Sequence, residues 1–352
     1  MPISNDAIQR LRLALQAARH PAADRPLVPL PDKGLAHDHV RLEGTGWLAR
    51  IPKQSQLGLS GQDNLDYQRA CFERAAASGH TPALQGVLPP SEPLPRGALL
   101  VQSIVGRPAR LPVDLPALAA ALASIHALPL PEAASRAPLL NAADPLRALV
   151  HEIDAQAAHL GAAGLSVPVL TAIEGERQRL LACVLGTDRP ARCLIAFDAH
   201  PGNFIVQPDG RAVLVDLEKC RYAYPGLDMA HATLYTSTTW DLDTQAVLSV
   251  DEVLGFYATW AGAVGPMAAT ARPWHGVLRR AMWLWSITWC AKWRVLSVEA
   301  ARTGADGEDW SSQRSEAALV DHVRNRVDHY LSTEVVAEVL EGFNQFECGL
   351  TA

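Results

Sequence analysis

Several features that define familiar protein classes are missing from this sequence. No run of 18 consecutive apolar residues occurs, and residues 1–16 follow an amphipathic pattern without the apolar core of a secretory signal. Basic runs and interleaved basic and aromatic residues are absent, which argues against a nucleic-acid partner. There is also no internal repeat, heptad run or low-complexity tract. We therefore expect a cytoplasmic protein that neither spans a membrane nor binds nucleic acid.

Closely spaced cysteine pairs are missing as well. The six cysteines are scattered without any Cys-x-x-Cys spacing: Cys71, Cys183, Cys193, Cys220, Cys290 and Cys348. Disulfides are rare in a reducing compartment, and zinc sites usually need closely spaced ligands. Free, buried thiols are therefore a better interpretation than disulfides or a zinc site.

What the sequence does contain is enough apolar material for a large core. Of the 352 residues, 49% are hydrophobic and 19% are charged, and the formal net charge is −6. A chain of this length usually forms two lobes or domains. The mild acidic balance suits a cationic small-molecule substrate. The sequence carries no signal for an oligomeric state.

The chemistry is concentrated in residues 194–235. Two β-prone runs flank a Pro-Asp-Gly turn signal at 208–210, and together they predict a β-hairpin with a two-residue turn. The outer ends of a hairpin lie together. We therefore expect Asn203, just before the first strand, and Asp216, just after the second, to face each other.

Acidic and amide groups stand at both ends of this hairpin. Asn203 and Asp216 supply oxygen ligands of the kind that Mg²⁺ uses while it also binds substrate phosphates. Asp198, five residues before Asn203, is placed to accept a hydroxyl proton. Each residue alone is compatible with an ordinary surface hairpin. The ordered set within residues 198–228 favours a kinase-like site for phosphoryl transfer.

Three motifs in this stretch resemble the aminoglycoside phosphotransferase and choline kinase superfamily. They are Asp-x-His-Pro-Gly-Asn at 198–203, Val-Asp-Leu-Glu at 215–218 and Gly-x-Asp-Met-Ala at 226–230. The resemblance implies that a hydroxyl group of a small molecule is phosphorylated with ATP and Mg²⁺. One departure concerns the start of the first motif, where the family usually has His-Gly-Asp and this chain has Ala-Phe-Asp.

The resemblance also implies roles for individual residues. Asp198 would be the catalytic base, and Asn203 and Asp216 would hold the metal ion. Glu218 would assist a second metal ion or bind a polar group of the substrate.

The implied fold is α+β, two-lobed and protein-kinase-like. Residues 1–105, with a leading helix, would form a small nucleotide-binding lobe built on an antiparallel sheet. Residues 106–352 would form a larger helical lobe for catalysis and substrate binding. In this larger lobe, His200 and Asp228 would have structural roles, with Asp228 bracing the catalytic loop.

A kinase needs a cation on the sheet of the smaller lobe to hold the nucleotide phosphates. The resemblance matches Arg50 to this position. Lys53 follows Pro52 and should project from the opposite face of a regular strand. Arg50 is the favoured residue and Lys53 the alternative, while either one is also compatible with a solvated position at a strand end.

The acidic partner of that cation is expected on a helix over residues 65–78, which ends before Gly79. Gln68 stands near the position where the family has Glu. Glu73 and Asp66 are the possible substitutes, and both are equally compatible with solvated helix charges.

Residues 97–106 are apolar and predict a buried strand. In the resembling family this strand leads into the hinge between lobes, where adenine would contact backbone groups from Gln102 to Ile104. The next helix, predicted over 115–128, resembles the family helix that follows the hinge. His126 on this helix is expected to be a packed core residue.

Trp285, Trp289 and Trp293 are four residues apart and line one face of a helix predicted over 274–296. Such a stripe usually packs in a core. In choline kinases, however, a Trp-x-x-Trp helix in this place helps to enclose the quaternary ammonium, and aromatic faces attract cations. Trp285 and Trp289, with Glu218, are therefore candidate substrate contacts, and core packing is the alternative.

Together these features predict a small-molecule kinase with an alcohol group as acceptor. An amino alcohol or a choline- or ethanolamine-like compound is favoured, because residues 215–228 and the Trp helix resemble that branch. The His-Pro-Gly-Asn loop resembles the aminoglycoside and methylthioribose kinases, so an aminoglycoside or sugar is the alternative. The altered loop start and Gln68 leave a catalytically silent nucleotide-binding regulator as a further alternative. ATP and GTP are not distinguished.

Overall fold

The structure is a computed structural model that describes residues 5–31, 34–300 and 306–351. The chain divides into two compact units. The first is drawn from Met1–Ala76, Pro82–Ile104 and Leu296–Arg324, and the second from Ala77–Thr81, Val105–Val295 and Asn325–Ala352. Sequence patterns do not predict that the chain returns to the first unit at Leu296.

The first unit is built on a five-stranded antiparallel sheet with the strand order β1-β2-β3-β5-β4. Its elements are α1 (Asn5–Ala17), β1 (Leu27–Pro29), β2 (His37–Leu42), β3 (Trp47–Pro52), α2 (Gly61–Ala75), β4 (Leu84–Leu88) and β5 (Ala98–Gln102).

One face of this sheet packs with α1 in a hydrophobic core. Val40 and Leu42 of β2 are buried while Arg41 between them is exposed, which is the alternation expected of a strand. Leu11 and Leu15 of α1 are four residues apart, so they lie on one helix face and are buried in the same cluster. Full burial of such a side chain stabilises the fold by about 1.5–3 kcal/mol.

Helix α2 begins at Gly61, four residues before the start predicted from its apolar pattern. The reason is an N-cap at Ser60, whose Oγ accepts a hydrogen bond from Asp63 N at 3.1 Å. The helix ends at Ala75 and continues into a 3₁₀ turn over Ala76–Ser78.

The returning segment of the first unit is hydrogen-bonded to the loop before α2. Gly307 N donates to Leu59 O at 2.9 Å, and Gly307 O accepts from Ser55 N at 3.0 Å. Asp306 Oδ1 accepts from Gly61 N at 3.0 Å, so it satisfies a backbone donor in the first turn of α2. These contacts join residues about 245 positions apart in the chain, which is why local patterns do not reveal them.

The second unit contains most of the helices, a three-stranded sheet with the order β6-β8-β9, and a two-stranded sheet of β7 and β10. Its elements are β6 (Arg107–Pro108), α3 (Leu115–His126), α4 (Pro145–Ala157), α5 (Val167–Leu185), β7 (Cys193–Ile195), β8 (Phe204–Val206), β9 (Ala212–Leu214), β10 (Arg221–Ala223), α6 (Pro225–Thr233), α7 (Tyr235–Thr238), α8 (Val250–Val264), α9 (Met267–Ala271), α10 (His275–Leu296), α11 (Ala317–Tyr330, which begins in the first unit) and α12 (Thr333–Thr351).

The predicted hairpin is formed by β8 and β9, with Phe204 opposite Leu214. Its turn has three residues, so the prediction of a two-residue turn is wrong. Gln207 N donates to Arg211 O at 2.9 Å and closes the ladder, and Gly210 has a φ of +86°. A glycine in the left-handed region is typical of three-residue hairpin turns, where it allows the strands to meet in register.

The pairing of β7 with β10 brings together the two segments that flank the hairpin. Ile195 of β7 is opposite Arg221 of β10 in an antiparallel ladder. Residues 196–198 therefore lie beside the segment that follows Asp216.

No two of the six cysteines, all of which are described, form a disulfide. Cys71, Cys193, Cys220 and Cys290 are buried, Cys183 is half-buried and Cys348 is exposed. The expectation of a buried thiol is therefore wrong for Cys348, which lies on α12. Among the described residues, no helix has the length and apolarity that crossing a membrane requires.

Candidate active site

The loop after β7 passes through an unfavourable backbone conformation. Phe197 has a φ of +60°, and a non-glycine residue in this left-handed region costs roughly 1–2 kcal/mol. The N–H groups of Ala196 and Phe197 donate to the two carboxylate oxygens of Asp228, at 2.7 Å each. Asp228 lies in the first turn of α6 and is completely buried. Its carboxylate therefore stabilises the backbone turn that precedes Asp198.

His126 of α3 and Trp260 of α8 complete the surroundings of this carboxylate. Trp260 donates its indole N–H to His126 Nδ1 at 2.9 Å. The His126 proton must then reside on Nε2, which donates to Asp228 Oδ2 at 3.1 Å. All three side chains are completely buried. His126 is thus a packed core residue that also orients the Asp228 carboxylate.

Asp198 follows the turn and is half-buried. Its Oδ2 accepts a hydrogen bond from Lys219 Nζ at 2.7 Å, and its Oδ1 lies 3.8 Å from His231 Nδ1. Burial is the largest influence and would raise the pKa of Asp198, but Lys219 and, to a smaller extent, His200 and His231 together outweigh burial, and the pKa lies below its ordinary value. Burial lowers the pKa of His231 to about 4, so this imidazole is neutral at pH 7. The Asp198 carboxylate is therefore ionised and able to accept a proton.

The hairpin brings Asn203 and Asp216 next to Asp198. Asn203 donates its side-chain N–H to the backbone oxygen of Asp198 at 2.8 Å. The carbonyl of Asn203 accepts from Val215 N at 2.9 Å, so Asn203 lies across from the residue that precedes Asp216. Asp216 is half-buried and interacts electrostatically with Asp198. The structure thus brings together the three residues of the predicted site.

Asn203 and Asp216 fit a magnesium ion by the chemistry of their donor atoms. The side-chain N–H of Asn203 is hydrogen-bonded to the backbone oxygen of Asp198, so its Oδ1 is the atom that could bind a metal ion, and Asp216 offers a carboxylate. In the described part of the chain, no group of three or more His, Cys, Asp or Glu side chains could hold a metal ion. Magnesium that also binds substrate phosphates needs only one or two protein carboxylates, so the smaller donor set is sufficient.

His200 begins the short turn that separates Asp198 from Asn203. A 3₁₀ turn covers Pro201–Asn203, and the carbonyl of His200 accepts from Asn203 N at 2.9 Å. The His200 ring is half-buried, and its centroid is 6.0 Å from that of His231. This turn brings the chain back toward Asp198, so that the Asn203 side chain reaches the Asp198 backbone oxygen.

Lys219 is a site residue that sequence patterns do not indicate. Its ammonium binds Asp198 and lies 5.5 Å from the centroid of the Trp285 ring. Burial would lower the pKa of Lys219, but Asp198 and then Glu218 outweigh it and the pKa is raised. Glu218 is itself buried. The position of Lys219 follows from the pairing of β7 with β10, and no local pattern predicts this pairing.

The three Trp side chains of α10 have different surroundings. Trp285 is buried and donates its indole N–H to Glu152 Oε2 at 3.1 Å. Trp289 is half-buried, and its ring meets that of Trp240 edge-to-face with centroids 5.8 Å apart. Trp293 is buried. Core packing therefore describes Trp293, whereas Trp289 retains an accessible portion.

Trp240 is close to the loop that carries Asp198, because its neighbour Asp241 lies against Gly202. A Cβ atom added at Gly202 would lie 2.8 Å from Asp241 Cβ and 2.9 Å from His200 Cε1. Both distances are too short for ordinary contacts, so only glycine fits between the loop and Asp241. Trp240 and Trp289 therefore form an aromatic pair near the loop that carries Asp198.

The basic candidates of the first unit lie at the end of β3. Arg50 is buried, with its guanidinium 3.3 Å from His39 Nε2 and 5.7 Å from the centroid of the Phe72 ring. Lys53 follows the strand, and its Nζ is 3.7 Å from Asp38 Oδ1. Lys53 therefore has an acidic neighbour on β2. The acidic partner expected on α2 stays a prediction.

The three residues of α2 considered for the acidic partner differ in exposure. Gln68 is buried and its Oε1 is hydrogen-bonded to His37 Nε2 at 2.9 Å. Glu73 is exposed and pairs with Arg69 one turn away, and Asp66 is also exposed. The interpretation as solvated helix charges fits both carboxylates.

The predicted hinge contains two N–H groups that the sheet already uses. Gln102 N donates to Ala83 O and Ser103 N donates to Gly46 O, each at 2.8 Å. Ile104 is the last residue of this part of the first unit. The N–H groups of Gln102 and Ser103 are thus occupied within the sheet. The contact of adenine with backbone groups from Gln102 to Ile104 stays a prediction.

Comparison with a family model shows which protein family contains this site. The model described as the phosphotransferase enzyme family matches residues 28–263, which is more than half of the chain and includes the whole stretch from Asp198 to Asp228. The chain belongs to the phosphotransferase enzyme family. No curated protein matches this phosphotransferase.

Solved structures resemble the phosphotransferase over most of its length. A choline/ethanolamine kinase family protein from Mesorhizobium loti has 16% identity, covers 96% of this chain and 99% of its own, and has a TM-score of 0.57. An ethanolamine kinase from Plasmodium vivax has 10% identity, covers 90% of this chain and 85% of its own, and has a TM-score of 0.61. APH(2")-IIa in a ternary complex with streptomycin and ATP has 14% identity, covers 84% of this chain and 91% of its own, and has a TM-score of 0.52. Identities this low show a shared fold alone.

These findings confirm two of the sequence predictions. The fold class is α+β and protein-kinase-like, with a small antiparallel sheet and many helices. The enzyme class is that of a small-molecule kinase. The boundary at residue 105 and the roles of individual residues stay predictions.

Replacing Asp228 by Asn tests the support of the catalytic loop. Three donors point at the carboxylate. The side-chain amide of an asparagine would direct its own N–H group at one of these donors. We expect the free energy of unfolding to fall by about 3 kcal/mol, because a buried donor loses its acceptor. Urea denaturation measures this loss, with Asp209→Asn at the exposed hairpin tip as the control. A wild-type unfolding curve for Asp228→Asn would contradict the bracing role.

Proposed function

We propose that this phosphotransferase uses ATP and Mg²⁺ to phosphorylate a hydroxyl group of a small molecule. The observation that carries the proposal is the arrangement around Asp198, where an ionised carboxylate lies beside Asn203 and Asp216. Phosphoryl transfer depends mainly on positioning and electrostatic stabilisation. A short set of residues on one loop and one hairpin is therefore sufficient.

Asp198 would act on the acceptor. It would orient the hydroxyl group and accept its proton while the hydroxyl oxygen forms a bond to the γ-phosphorus of ATP. The bond between the γ-phosphorus and the bridging oxygen breaks, and ADP leaves with that electron pair. Neutral His231, 3.8 Å from Asp198 Oδ1, does not compete for the carboxylate as a second cation would.

The remaining residues would act on the nucleotide. Asn203 and Asp216 would hold Mg²⁺, which neutralises phosphate charge and fixes the orientation of the β and γ phosphates. Glu218 would assist a second ion or bind a polar group of the acceptor. Arg50 or Lys53 would neutralise the α and β phosphates, and the backbone near Ile104 would contact the base.

We favour an amino alcohol or a choline-like compound as the acceptor. The aromatic pair of Trp240 and Trp289 near the loop supports this choice, because a cation over an aromatic face gains about 0.5–2 kcal/mol. Asp241, which touches the loop at Gly202, adds a carboxylate beside the pair. Trp289 is a better candidate than Trp285, whose ring already faces Lys219. The likeness to an ethanolamine kinase agrees with this class.

Two alternatives remain within the same fold. The likeness to a phosphotransferase that binds streptomycin supports an aminoglycoside acceptor. A catalytically silent regulator is motivated by the Ala-Phe start of the loop and by Gln68. Against a silent protein, the loop still makes its turn, because Asp228 binds backbone N–H groups that any residue provides.

An acceptor screen tests the proposed function. Amino alcohols, aminoglycosides and sugars are incubated with Mg²⁺ and either ATP or GTP, and release of the nucleoside diphosphate is followed together with the mass of the phosphorylated product. We expect Asp198→Asn to lower kcat by about 100-fold or more, the usual contribution of a positioned base, while ATP still binds. Asp209→Asn is the matched control. Near-normal turnover of Asp198→Asn would sink the assignment, and no turnover by the wild type would favour the regulator.

Asp216→Ala separates metal binding from folding. The residue is half-buried at the end of a hairpin, so we expect a folded protein that binds ATP equally well with and without Mg²⁺. Isothermal titration of ATP in the presence and absence of Mg²⁺ measures the difference, and Asp209→Ala is the control. Retained magnesium dependence, or a loss of cooperative unfolding, would show that Asp216 has another role.

Trp289→Leu tests the charge of the acceptor. The substitution keeps apolar bulk but removes the aromatic face, so KM for a cationic acceptor should rise by roughly 2- to 30-fold. The KM for ATP and the KM for a neutral acceptor of the same shape should barely change. Trp293→Leu, a buried neighbour on the same helix, is the control. If the ratio of the two acceptor KM values is unchanged in Trp289→Leu, the aromatic pair does not recognise charge.

A further inference from the structure

Lys219 holds the side chain of the proposed catalytic base. In the described part of the chain it is the single hydrogen-bond partner of the Asp198 carboxylate, at 2.7 Å from Oδ2. Asn203 binds the backbone oxygen of Asp198 instead, and His231 Nδ1 stays 3.8 Å from Oδ1, which is beyond hydrogen-bond distance. Lys219 is only 8% exposed, so its ammonium is held beside Asp198 and does not extend into solvent.

Lys219 is in turn supported by a closed set of contacts. Its ammonium lies over the ring of Trp285, and the indole N–H of Trp285 donates to Glu152 at 3.1 Å. Glu152 also pairs with Arg221, whose guanidinium carbon is 3.7 Å from the centroid of the Phe197 ring. Phe197 meets Trp285 edge-to-face at 5.1 Å. The contacts therefore lead from Lys219 back to the residue that precedes Asp198.

We propose that Lys219 is a positioning residue for the phosphotransferase reaction, an inference that rests on the proposed role of Asp198. The carboxylate of an aspartate rotates about a broad, roughly two-fold torsion. The ammonium stops this rotation by binding Oδ2, and Oδ1 is then the oxygen that accepts the hydroxyl proton. Lys219 acts on the substrate through Asp198.

Other roles of the same lysine have different consequences. If the ion pair only stabilises the fold, removing Lys219 lowers stability but leaves kcat of the folded protein unchanged. If the ammonium occupies the place of a cationic acceptor, removing it lowers the acceptor KM. Positioning of Asp198 instead requires a fall in kcat at nearly constant KM, because binding is intact and the reacting geometry is lost.

The first experiment measures kcat and both KM values for Lys219→Met and Lys219→Arg. We expect Lys219→Met to lower kcat by about 10-fold or more, since small displacements of a reacting group have effects of this size. Lys219→Arg keeps a charged donor and should retain more of kcat than Lys219→Met. Lys292→Met, on the half-buried Lys292 of α10, is the control for loss of a lysine and should keep the wild-type kcat, because the Asp198 carboxylate is bound by Lys219 and not by Lys292.

The second experiment restores the cation from solution. Ethylammonium, which has no hydroxyl group to be phosphorylated, is added to Lys219→Ala. A saturable rise in kcat is expected, because the free cation can bind Asp198 in place of the lysine. The double variant Asp198→Asn/Lys219→Ala should show no rise. This readout depends on a local ammonium and not on the stability of the chain.

The outcomes separate this inference from the proposed function. A folded Lys219→Met with unchanged kcat, or with a lower acceptor KM, overturns the positioning role while an inactive Asp198→Asn leaves the proposed function standing. Wild-type turnover by Asp198→Asn overturns both. If Lys219→Met does not fold, the proposal is tested by kcat of Lys219→Arg and by the rescue of Lys219→Ala. Equal losses of kcat in Lys219→Arg and Lys219→Ala, without any rescue by ethylammonium, count against the proposal.

Discussion

The loop that carries Asp198 depends on one completely buried carboxylate. Asp228 accepts hydrogen bonds from the N–H groups of Ala196 and Phe197 at 2.7 Å and from His126 Nε2 at 3.1 Å. A buried charge without partners is costly, and so are buried N–H groups without acceptors. The Asp228 carboxylate therefore needs the two N–H groups, and the N–H groups need the carboxylate. The left-handed turn at Phe197 persists because the contact outweighs its backbone strain.

This arrangement also accounts for the unusual start of the loop. The family usually has glycine where this chain has Phe197, and glycine adopts a positive φ without strain. Asp228 binds backbone groups, so the side chains before Asp198 are free to differ. In this chain the Phe197 ring is used to pack against Arg221 and Trp285. Helices α3 and α8, which lie outside the three motifs, contribute through His126 and Trp260.

Local patterns in the sequence predict what depends on neighbouring residues. The hairpin, the order of Asp198, Asn203 and Asp216, and the helices predicted over 65–78, 115–128 and 274–296 follow from turn signals, spacing and apolar periodicity. The three-residue turn closed by Gly210 and the early start of α2 depend on details of capping and backbone conformation that such patterns describe only coarsely. Lys219 and the return of the chain at Leu296 depend on contacts between distant segments, so a single sequence does not reveal them.

Hydrogen exchange at the N–H groups of Ala196 and Phe197 tests the central claim most directly. If Asp228 holds the loop, these two amides open only when the surrounding helices of the second unit open, and their exchange should be as slow as that of the most protected amides in α3. Amides at the hairpin tip, around Asp209, should exchange quickly in the same sample. Equal, rapid exchange at residues 196, 197 and 209 would show that the loop is not held by Asp228, and the account of the site would be wrong.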